Sequence, residues 1–351
     1  MPRPRLLENS QSIIQFVKNN PNCSTEEIRV GLGLTLSVAT LKRYLQSLVA
    51  SDSIVPMGAN KNRRYRISLA YEIRRPISID EYFEKDIDAR GVIKNSFNQS
   101  LLNETLPQIS LFTLNELTSL QTLQEIFQTR VTQLTQSEYH NEMERLAVDL
   151  SWKSSQIEGN TYTLLESERL LLNKETAGGK TKDEAVMLLN HKAALDFIIA
   201  HPDYVSPLTV SGIEDIHKIL IDGLDVSKNI RNRGVGISGT NYRPLDNEFQ
   251  IKEALASMCE LINTKQNAFE KALLSLALIS YIQPFADGNK RTGRIIANAL
   301  LFQHGCCPIS FRKVNSLDYK QALLIFYEQN CITPFKKLFM EQFEYAVNNY
   351  F

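Results

Sequence analysis

The chain has 351 residues, of which 43% are hydrophobic and 22% charged, a balance that excludes a disordered or fibrous protein. Its 39 Lys and Arg residues offset 39 Asp and Glu residues, so any phosphate or nucleic-acid site must be local. The sequence shows neither a membrane-spanning apolar stretch nor a secretory signal, and we expect a cytoplasmic protein with no membrane partner. The five cysteines fit neither zinc nor disulfide spacing, which favours reduced, buried thiols.

Positive charge is concentrated near the N-terminus, where residues 1–75 hold 12 Lys and Arg but only 5 Asp and Glu residues. In chain order the pattern predicts three helices and then two strands, at residues 10–19, from Ser24 onward, 36–50, 53–57 and 64–68. Ser24 and Glu27 have the spacing of a capping box. Three helices followed by a basic hairpin predict a winged helix-turn-helix domain over residues 1–70.

A winged helix of this kind offers two sets of cations to a DNA backbone. We predict that Lys42 and Arg43 lie on the third helix, and that the hairpin carries Lys61, Arg63 and Arg64. The local excess of positive charge suits phosphate contacts, and sequence-specific recognition would require a homodimer. Winged helices also serve as protein-docking or dimerisation modules, and the sequence leaves that alternative open.

The rest of the chain is predicted to be a connector followed by helices. Residues 71–111 lose periodicity and are expected to form the connector. Beyond it the predicted helices are 114–135, 138–157, 164–173, 182–200, 209–220, 252–265, 269–281, 289–304, 316–328 and a last one from Thr333. Residues 229–244 are the exception, because glycines alternate there with Val235 and Ile237 and predict a short hairpin. The fold class is therefore mainly α.

Residues 283–294 read Gln-Pro-Phe-Ala-Asp-Gly-Asn-Lys-Arg-Thr-Gly-Arg and separate two apolar helices. Pro284 ends the first helix, and Gly288 permits a tight turn before the second. The second helix then begins with cations in or near its first turn, although a helix N-terminus already carries about half a positive charge. Such a start is electrostatically unfavourable unless an anion binds there.

A phosphate would resolve this conflict. The main-chain N–H groups of residues 288–290 can donate to its oxygens, and Arg291 and Arg294 share one helix face from which each can bind it bidentately. Asp287, just before the helix, is either an N-cap or a ligand for Mg²⁺ beside a polyphosphate. The alternative is a solvated basic helix start with no ligand.

A carboxylate lies at the C-terminal end of another predicted helix. The predicted helix 138–157 runs into Gly159, a common helix stop, and this places Glu158 where the helix dipole is negative. A carboxylate there is stabilised by a nearby cation, or else it is a solvated helix end.

These residues carry a family resemblance. The stretch QPFADGNKRTGR resembles the signature of Fic proteins, His-Pro-Phe-x-(Asp/Glu)-Gly-Asn-(Gly/Lys)-Arg-x-x-Arg. Ser154, Glu158 and Gly159 resemble the inhibitory-helix motif of the same family, in members whose inhibitory helix precedes the Fic core. The resemblance covers residues 112–351 and implies N-terminal helices with the inhibitory helix over 112–165 and an all-α Fic core over 166–351, with the glycine-rich hairpin as its flap.

The resemblance implies a function: binding of Mg·ATP and transfer of AMP to a Ser, Thr or Tyr hydroxyl of a target protein. It assigns Mg²⁺ to Asp287 and the α-phosphate anion hole to Gly288 and Asn289. Arg291 would bind the other phosphates, with Lys290 also at the nucleotide, and Arg294 would bind the γ-phosphate. Glu158 would inhibit by pairing with Arg294. The flap residues Gly236, Ile237, Gly239 and Tyr242 would hold the target segment by main-chain pairing.

One position departs from the family pattern. Position 283 is Gln where the family has its catalytic His, and an amide cannot serve as a base that titrates near neutrality. We expect none of the five histidines to replace it: His140, His191, His201, His217 and His304. General-base catalysis contributes about 10²–10⁴-fold, so activity is expected to be weak or absent.

Two further alternatives follow. Lys290 stands where many members have Gly and also occurs in a related branch that phosphorylates its target, whereas Gly288 favours the adenylylating branch. The second alternative is an ATP-sensing, DNA-binding transcriptional regulator in which the degenerate Fic core senses nucleotide and the winged helix is the output.

Overall fold

The computed structural model describes residues 4–33 and 36–351, without the side chains of residues 4–8 and 61. It is mainly helical with one small three-stranded sheet. Two compact units divide the chain: Met1–Pro76 with Gln108–Thr113, and Ile77–Pro107 with Leu114–Phe351. Each unit has its own buried apolar residues.

The first unit contains the three predicted helices and the predicted strand pair, with one further short strand and one further short helix. Its elements are α1 (Pro4–Asn19), β1 (Cys23–Ser24), α2 (Thr25–Gly31), α3 (Val38–Ala50), β2 (Ile54–Met57), β3 (Arg64–Ile67) and α4 (Leu69–Arg74). The sheet is antiparallel in the order β1-β3-β2, with Ile54 opposite Ile67. The capping box is present, because the Ser24 hydroxyl accepts from the Glu27 N–H at 3.2 Å and the Glu27 carboxylate accepts from the Ser24 N–H at 2.6 Å.

The second unit contains the remaining helices. The first, α5 (Ile79–Phe83), was not predicted. The others agree closely with the sequence pattern: α6 (Leu114–Val131), α7 (Gln136–Ile157), α8 (Leu164–Asn173), α9 (Lys182–Ala200), α10 (Val210–Leu220), α11 (Glu248–Thr264), α12 (Ala268–Ile282), α13 (Asn289–Gln303), α14 (Ser316–Gln329) and α15 (Thr333–Asn349). Helices α12 and α13 are almost entirely buried and pack on each other at the centre. The loop between them is therefore held by the best-packed part of the unit.

The segment predicted as a connector over residues 71–111 contains regular elements. Residues 77–107 belong to the second unit and contain helix α5, a π-helical turn at Leu101–Thr105 and two 3-10 turns. Hydrogen bonds and ring contacts with the helices fix this segment. For example, the Tyr82 hydroxyl donates to the Glu328 carboxylate at 2.5 Å. Contacts of this kind leave no periodic pattern in the sequence.

Several expectations about composition can be compared with the structure. All five cysteines are free and buried. Within residues 4–33 and 36–351 no helix is long and apolar enough to cross a membrane. The same residues contain no group of three or more His, Cys, Asp and Glu side chains placed to hold a metal ion.

Candidate active site

The α12–α13 loop turns through two residues in left-handed conformation. Gln283 ends α12 with φ 52°, and Gly288 begins α13 with φ 84°. The Asn289 side chain closes the loop from inside, because its Oδ1 accepts from the Phe285 N–H and its Nδ2 donates to the Phe285 carbonyl, both at 2.9 Å. Asn289 thus fixes the loop from inside, and no side chain among the described residues caps the N–H groups that begin α13.

Gln283 is held on both sides of its amide. Its Nε2 donates to the Ser280 carbonyl at 2.6 Å, and its Oε1 accepts from Asn289 Nδ2 at 2.9 Å. Arg231 supports the same turn from behind, since its Nε donates to the Gln283 carbonyl at 2.5 Å and its N–H to the Pro284 carbonyl at 3.0 Å. Gln283 is therefore a fixed hydrogen-bonding group with no proton affinity near pH 7.

Helix α13 begins without a capping side chain and without an acidic residue in its first turn. Arg291 is almost fully buried, with 1% of its side chain exposed, and its Nη2 lies 2.9 Å from the Asp287 carboxylate, which is 60% exposed. Nε and Nη1 of Arg291 have no hydrogen-bond partner among the described residues. Gly288 is the N-cap of α13, so the alternative in which Asp287 is the N-cap is wrong.

Glu158 and Arg294 come together as a pair. Arg294 is fully buried on α13 and donates from Nη2 to Glu158 Oε1 at 2.5 Å. Its Nη1 also donates to the Ser154 carbonyl at 2.9 Å and to the Ser154 hydroxyl at 2.7 Å. Lys290 adds a second cation, with Nζ 2.9 Å from Glu158 Oε2. Gly159, with φ 100°, lets the chain turn away after Glu158.

The charge states of this pair follow from the same geometry. Burial raises the pKa of the Glu158 carboxyl, but the nearby charges of Arg294 and Lys290 outweigh it and bring that pKa to about 2. For Arg294 burial alone would lower the pKa of the guanidinium, whereas Tyr319 and Glu158 raise it. The Arg294 guanidinium also lies over the Tyr319 ring, 4.8 Å from its centroid. Both partners are charged at any physiological pH.

Two of the five histidines lie near the loop. His217 on α10 stacks on Phe285 with ring centroids 3.6 Å apart, and its Nε2 lies 2.9 Å from the Asp287 carbonyl. Burial lowers the pKa of His217 to about 4 and that of His191, which is fully buried, to about 3. Neither His217 nor His191 titrates near neutrality, so neither is suited to act as a base at pH 7.

The glycine-rich segment is a loop rather than a paired hairpin. It turns at Ser238 and Gly239, where Gly239 has φ 88°, and its two arms form no ladder with each other. Gly236 and Ile237 lie on the first arm beside a groove. Tyr242 is 2% exposed and donates from its hydroxyl to the Tyr281 carbonyl at 2.8 Å, so it anchors the second arm in the core.

The cations predicted for DNA binding are placed unequally. Lys42 and Arg43 are exposed on α3, and Arg63 is exposed before β3. Arg64 is engaged within its own unit, because its Nη1 donates to the Asn22 carbonyl at 2.9 Å and lies 3.2 Å from the Glu27 carboxylate. The side chain of Lys61 lies outside the described residues.

The sequence reasoning missed three residues that shape the site: Arg231, His217 and Tyr319. His217 had a detectable signal, because it shares the apolar face of α10 with Ile213 and Leu220. Nothing in the local sequence marked Arg231 or Tyr319, since both act through contacts distant in the chain.

The fold and the site together define a helical protein in which a cationic helix N-terminus is faced by a carboxylate from another helix. Residues 207–301 match the model of the Fic/DOC family, and the chain therefore carries a Fic domain. The curated relatives include a protein adenylyltransferase Fic from Nematostella vectensis, 28% identical over 49% of this chain and 41% of the relative. Another from Culex quinquefasciatus is 28% identical over 55% and 39%.

Solved structures give the same fold. Fic-1 (residues 134–508) from C. elegans has a TM-score of 0.60 at 19% identity and covers 67% of this chain and 72% of that one. A Fic domain containing signaling protein from Bacteroides thetaiotaomicron has a TM-score of 0.56 at 21% identity, covering 66% and 94%. Because the matches span about two fifths of the curated relatives' lengths, their activity is carried to this chain only as a proposal.

Proposed function

We propose that the Fic domain binds ATP with Mg²⁺ and is built to transfer AMP to a hydroxyl side chain of a target protein. The observation that carries the proposal is the start of α13: a helix N-terminus with no capping side chain, no acidic residue in its first turn and three cations in its first six residues. Phosphate is the anion that satisfies free helix N–H groups and guanidinium donors together.

The unpartnered donors of Arg291 support this assignment. A buried guanidinium with Nε and Nη1 unpaired costs free energy, about 1–3 kcal/mol for each unsatisfied donor. Rotation of the Arg291 side chain toward phosphate oxygens would give both donors an acceptor. The Asp287 carboxylate is exposed and can supply one ligand to a Mg²⁺ ion, which would take its other ligands from phosphates and water. The metal, when bound, neutralises phosphate charge, and Asp287 would be its protein ligand.

Glu158 supports an inhibited form of this activity. Its pair with Arg294 withholds from a γ-phosphate the guanidinium that would bind it, and Lys290 strengthens the pair. We infer that ATP can bind in a nonproductive pose while Glu158 stays in place. Gln283 removes the base that would take the proton from the attacking hydroxyl, so the chain as it stands is a weak or inactive enzyme.

The experiment is label transfer from α-labelled ATP with Mg²⁺ in a cell lysate, comparing the chain, Gln283→His, and Gln283→His with Glu158→Gly. We expect α-label only after His is restored, and more after Glu158 is removed. A parallel reaction with γ-labelled ATP separates adenylylation from phosphorylation. If all three forms bind ATP and none transfers label, the adenylyltransferase proposal is wrong and nucleotide sensing takes its place.

Nucleotide binding itself has a matched control. Calorimetry should show that Arg294→Ala changes the affinity for ATP with Mg²⁺. Arg145→Ala, which removes a half-exposed arginine paired with Glu142, should leave that affinity unchanged. Equal affinity in both variants would contradict the assignment of Arg294 to the nucleotide site.

A second proposal concerns the N-terminal unit. The exposed Lys42 and Arg43 on α3 favour DNA binding in an ATP-sensing regulator, with a homodimer as the form that reads two half-sites. A mobility shift that weakens steeply with salt and is lost in Lys42→Ala combined with Arg43→Ala is expected. A shift unchanged by these substitutions and by ATP would contradict this role.

A further inference from the structure

A segment within the predicted connector is hydrogen-bonded to the glycine-rich loop. We name residues 88–98 the strap and residues 234–243 the flap. The strap meets the flap at three points: Arg90 Nη1 to the Gly239 carbonyl at 3.0 Å, Asn241 Nδ2 to the Asp88 carboxylate at 2.9 Å, and the Arg243 N–H to the Asn95 carbonyl at 2.7 Å. The last contact belongs to a parallel bridge between Ser96 and Arg243.

The strap is itself firmly attached to the helical core. The Arg90 side chain is 10% exposed, lies 3.6 Å from the buried Glu328 carboxylate, and stacks over the Phe83 ring at 4.5 Å from the centroid. The Ile93 N–H donates to the Glu328 main-chain carbonyl at 2.9 Å. A guanidinium held by a buried carboxylate and an aromatic ring has few other orientations, so its bond to Gly239 is a fixed one.

Within residues 36–351 the first arm of the flap has no main-chain hydrogen bonds that would fix its shape, whereas in the second arm the Tyr242 N–H donates to the Thr240 hydroxyl at 3.0 Å. In the described part of the chain, residues 235–238 make no main-chain hydrogen bond. Its second arm is held by Tyr242 in the core and by the strap contacts. The turn at Gly239 is therefore placed by Arg90 rather than by pairing between the arms.

The strap and flap also share a groove of about 580 Å³. Its walls are the first arm at residues 235–237, the second arm at residues 240–243, and Asn95 and Ser96 of the strap, both of which are exposed. Unpaired main-chain groups on one wall suit an extended peptide that adds as a strand, and the strap closes the opposite side.

We propose that the strap positions the flap and forms the far wall of the groove that receives the extended segment of the protein substrate, with Arg90 as the positioning residue and Ser96 as a specificity-determining one. The groove's role rests on the proposed function; the strap's hold on the flap does not.

Hydrogen exchange on the full chain tests the hold directly. Arg90→Lys keeps a cation beside Glu328, so the fold is retained, but a single ammonium cannot reproduce the guanidinium's contacts with the Glu328 carboxylate, the Gly239 carbonyl and the Lys85 carbonyl. With Arg90→Lys and with Asp88→Ala we expect main-chain exchange over residues 239–243 to rise about tenfold, with α12 unchanged. Lys85→Ala is the control and should show no rise, because it removes an exposed side chain and keeps the main-chain carbonyl to which Arg90 Nε donates at 3.3 Å. Unchanged flap exchange, or an equal rise throughout the unit, overturns the proposal.

Substrate transfer tests the groove. In the chain carrying Gln283→His and Glu158→Gly, Ser96→Trp should raise KM for the purified protein that takes up label at least fivefold, with kcat and ATP affinity unchanged, while Lys85→Trp leaves KM unchanged. An unchanged KM in Ser96→Trp overturns the role of the groove. Absence of label in the parent variant instead contradicts the proposed function, and the exchange result still decides whether the strap holds the flap.

Discussion

Glu158 at the end of α7 and Arg294 on α13 are separated by 136 positions in the chain, yet their side chains meet at 2.5 Å. The contact joins the negative end of one helix to the cationic first turns of another. Each of these helix ends carries the charge that its own dipole disfavours, and the pair relieves both. The same contact thus serves folding and, in the proposed function, inhibition.

The pair contributes to stability. In Glu158→Gln, fully buried Arg294 loses its carboxylate partner, and breaking a buried ion pair costs about 3–5 kcal/mol. Because Arg294 keeps its bonds to Ser154, we expect a loss at the lower end, about 3 kcal/mol, in the free energy of unfolding by urea. Saturating ATP should restore part of this loss, since the freed guanidinium gains a phosphate. A loss below 1 kcal/mol would contradict the argument.

Lys290 is the weaker partner of Glu158. Its side chain is 31% exposed, so Lys290→Ala should lower stability by no more than about 1 kcal/mol. In the Gln283→His chain it should raise label transfer to a level between the parent and the Glu158→Gly form. Lys337→Ala, which removes a 76% exposed lysine, is the control. Equal transfer by Lys290→Ala and the control would show that Arg294 alone holds Glu158.

The stabilisation by Glu158 has a defined pH range. Because its folded-state pKa is lowered to about 2 from 4.5, the stabilisation is fully present above pH 4.5 and is lost as the pH falls toward 2. The difference in unfolding free energy between the chain and Glu158→Gln should therefore be constant from pH 5 to 8 and shrink below pH 4.5. A difference that already falls between pH 7 and 5 would mean that the carboxyl is not held by the two cations.

His217 is expected to hold the loop that precedes α13. His217→Phe keeps the stack on Phe285 but loses the hydrogen bond to the Asp287 carbonyl. Loss of one hydrogen bond is worth about 1 kcal/mol, so ATP affinity measured by calorimetry should fall between fivefold and tenfold. His201→Phe, at an exposed position on α9's C-terminal side, should leave it unchanged. Equal affinity for the two variants would show that the loop holds its shape without the histidine.

Local patterns predicted the helices well, and contacts between distant segments were beyond them. The bounds of α8 and α9 follow from apolar spacing and from capping boxes at Thr163 and Thr181. The charge of residues 287–294 predicted a helix start that needs an anion. The pairing of Arg64 with Glu27 and the strap contacts of Arg90 could not be predicted, because each depends on partners 37 and 149 positions away.

The side chain of Asn289 bridges the α12–α13 loop from Gln283 to Phe285 by three hydrogen bonds within the protein. The conformational entropy of that loop is therefore lost when the chain folds, not when a ligand arrives. An anion that binds there meets N–H groups already pointing in fixed directions. Its association should show little ordering of the main chain, and most of its entropy change should come from water released by the phosphates and the cations.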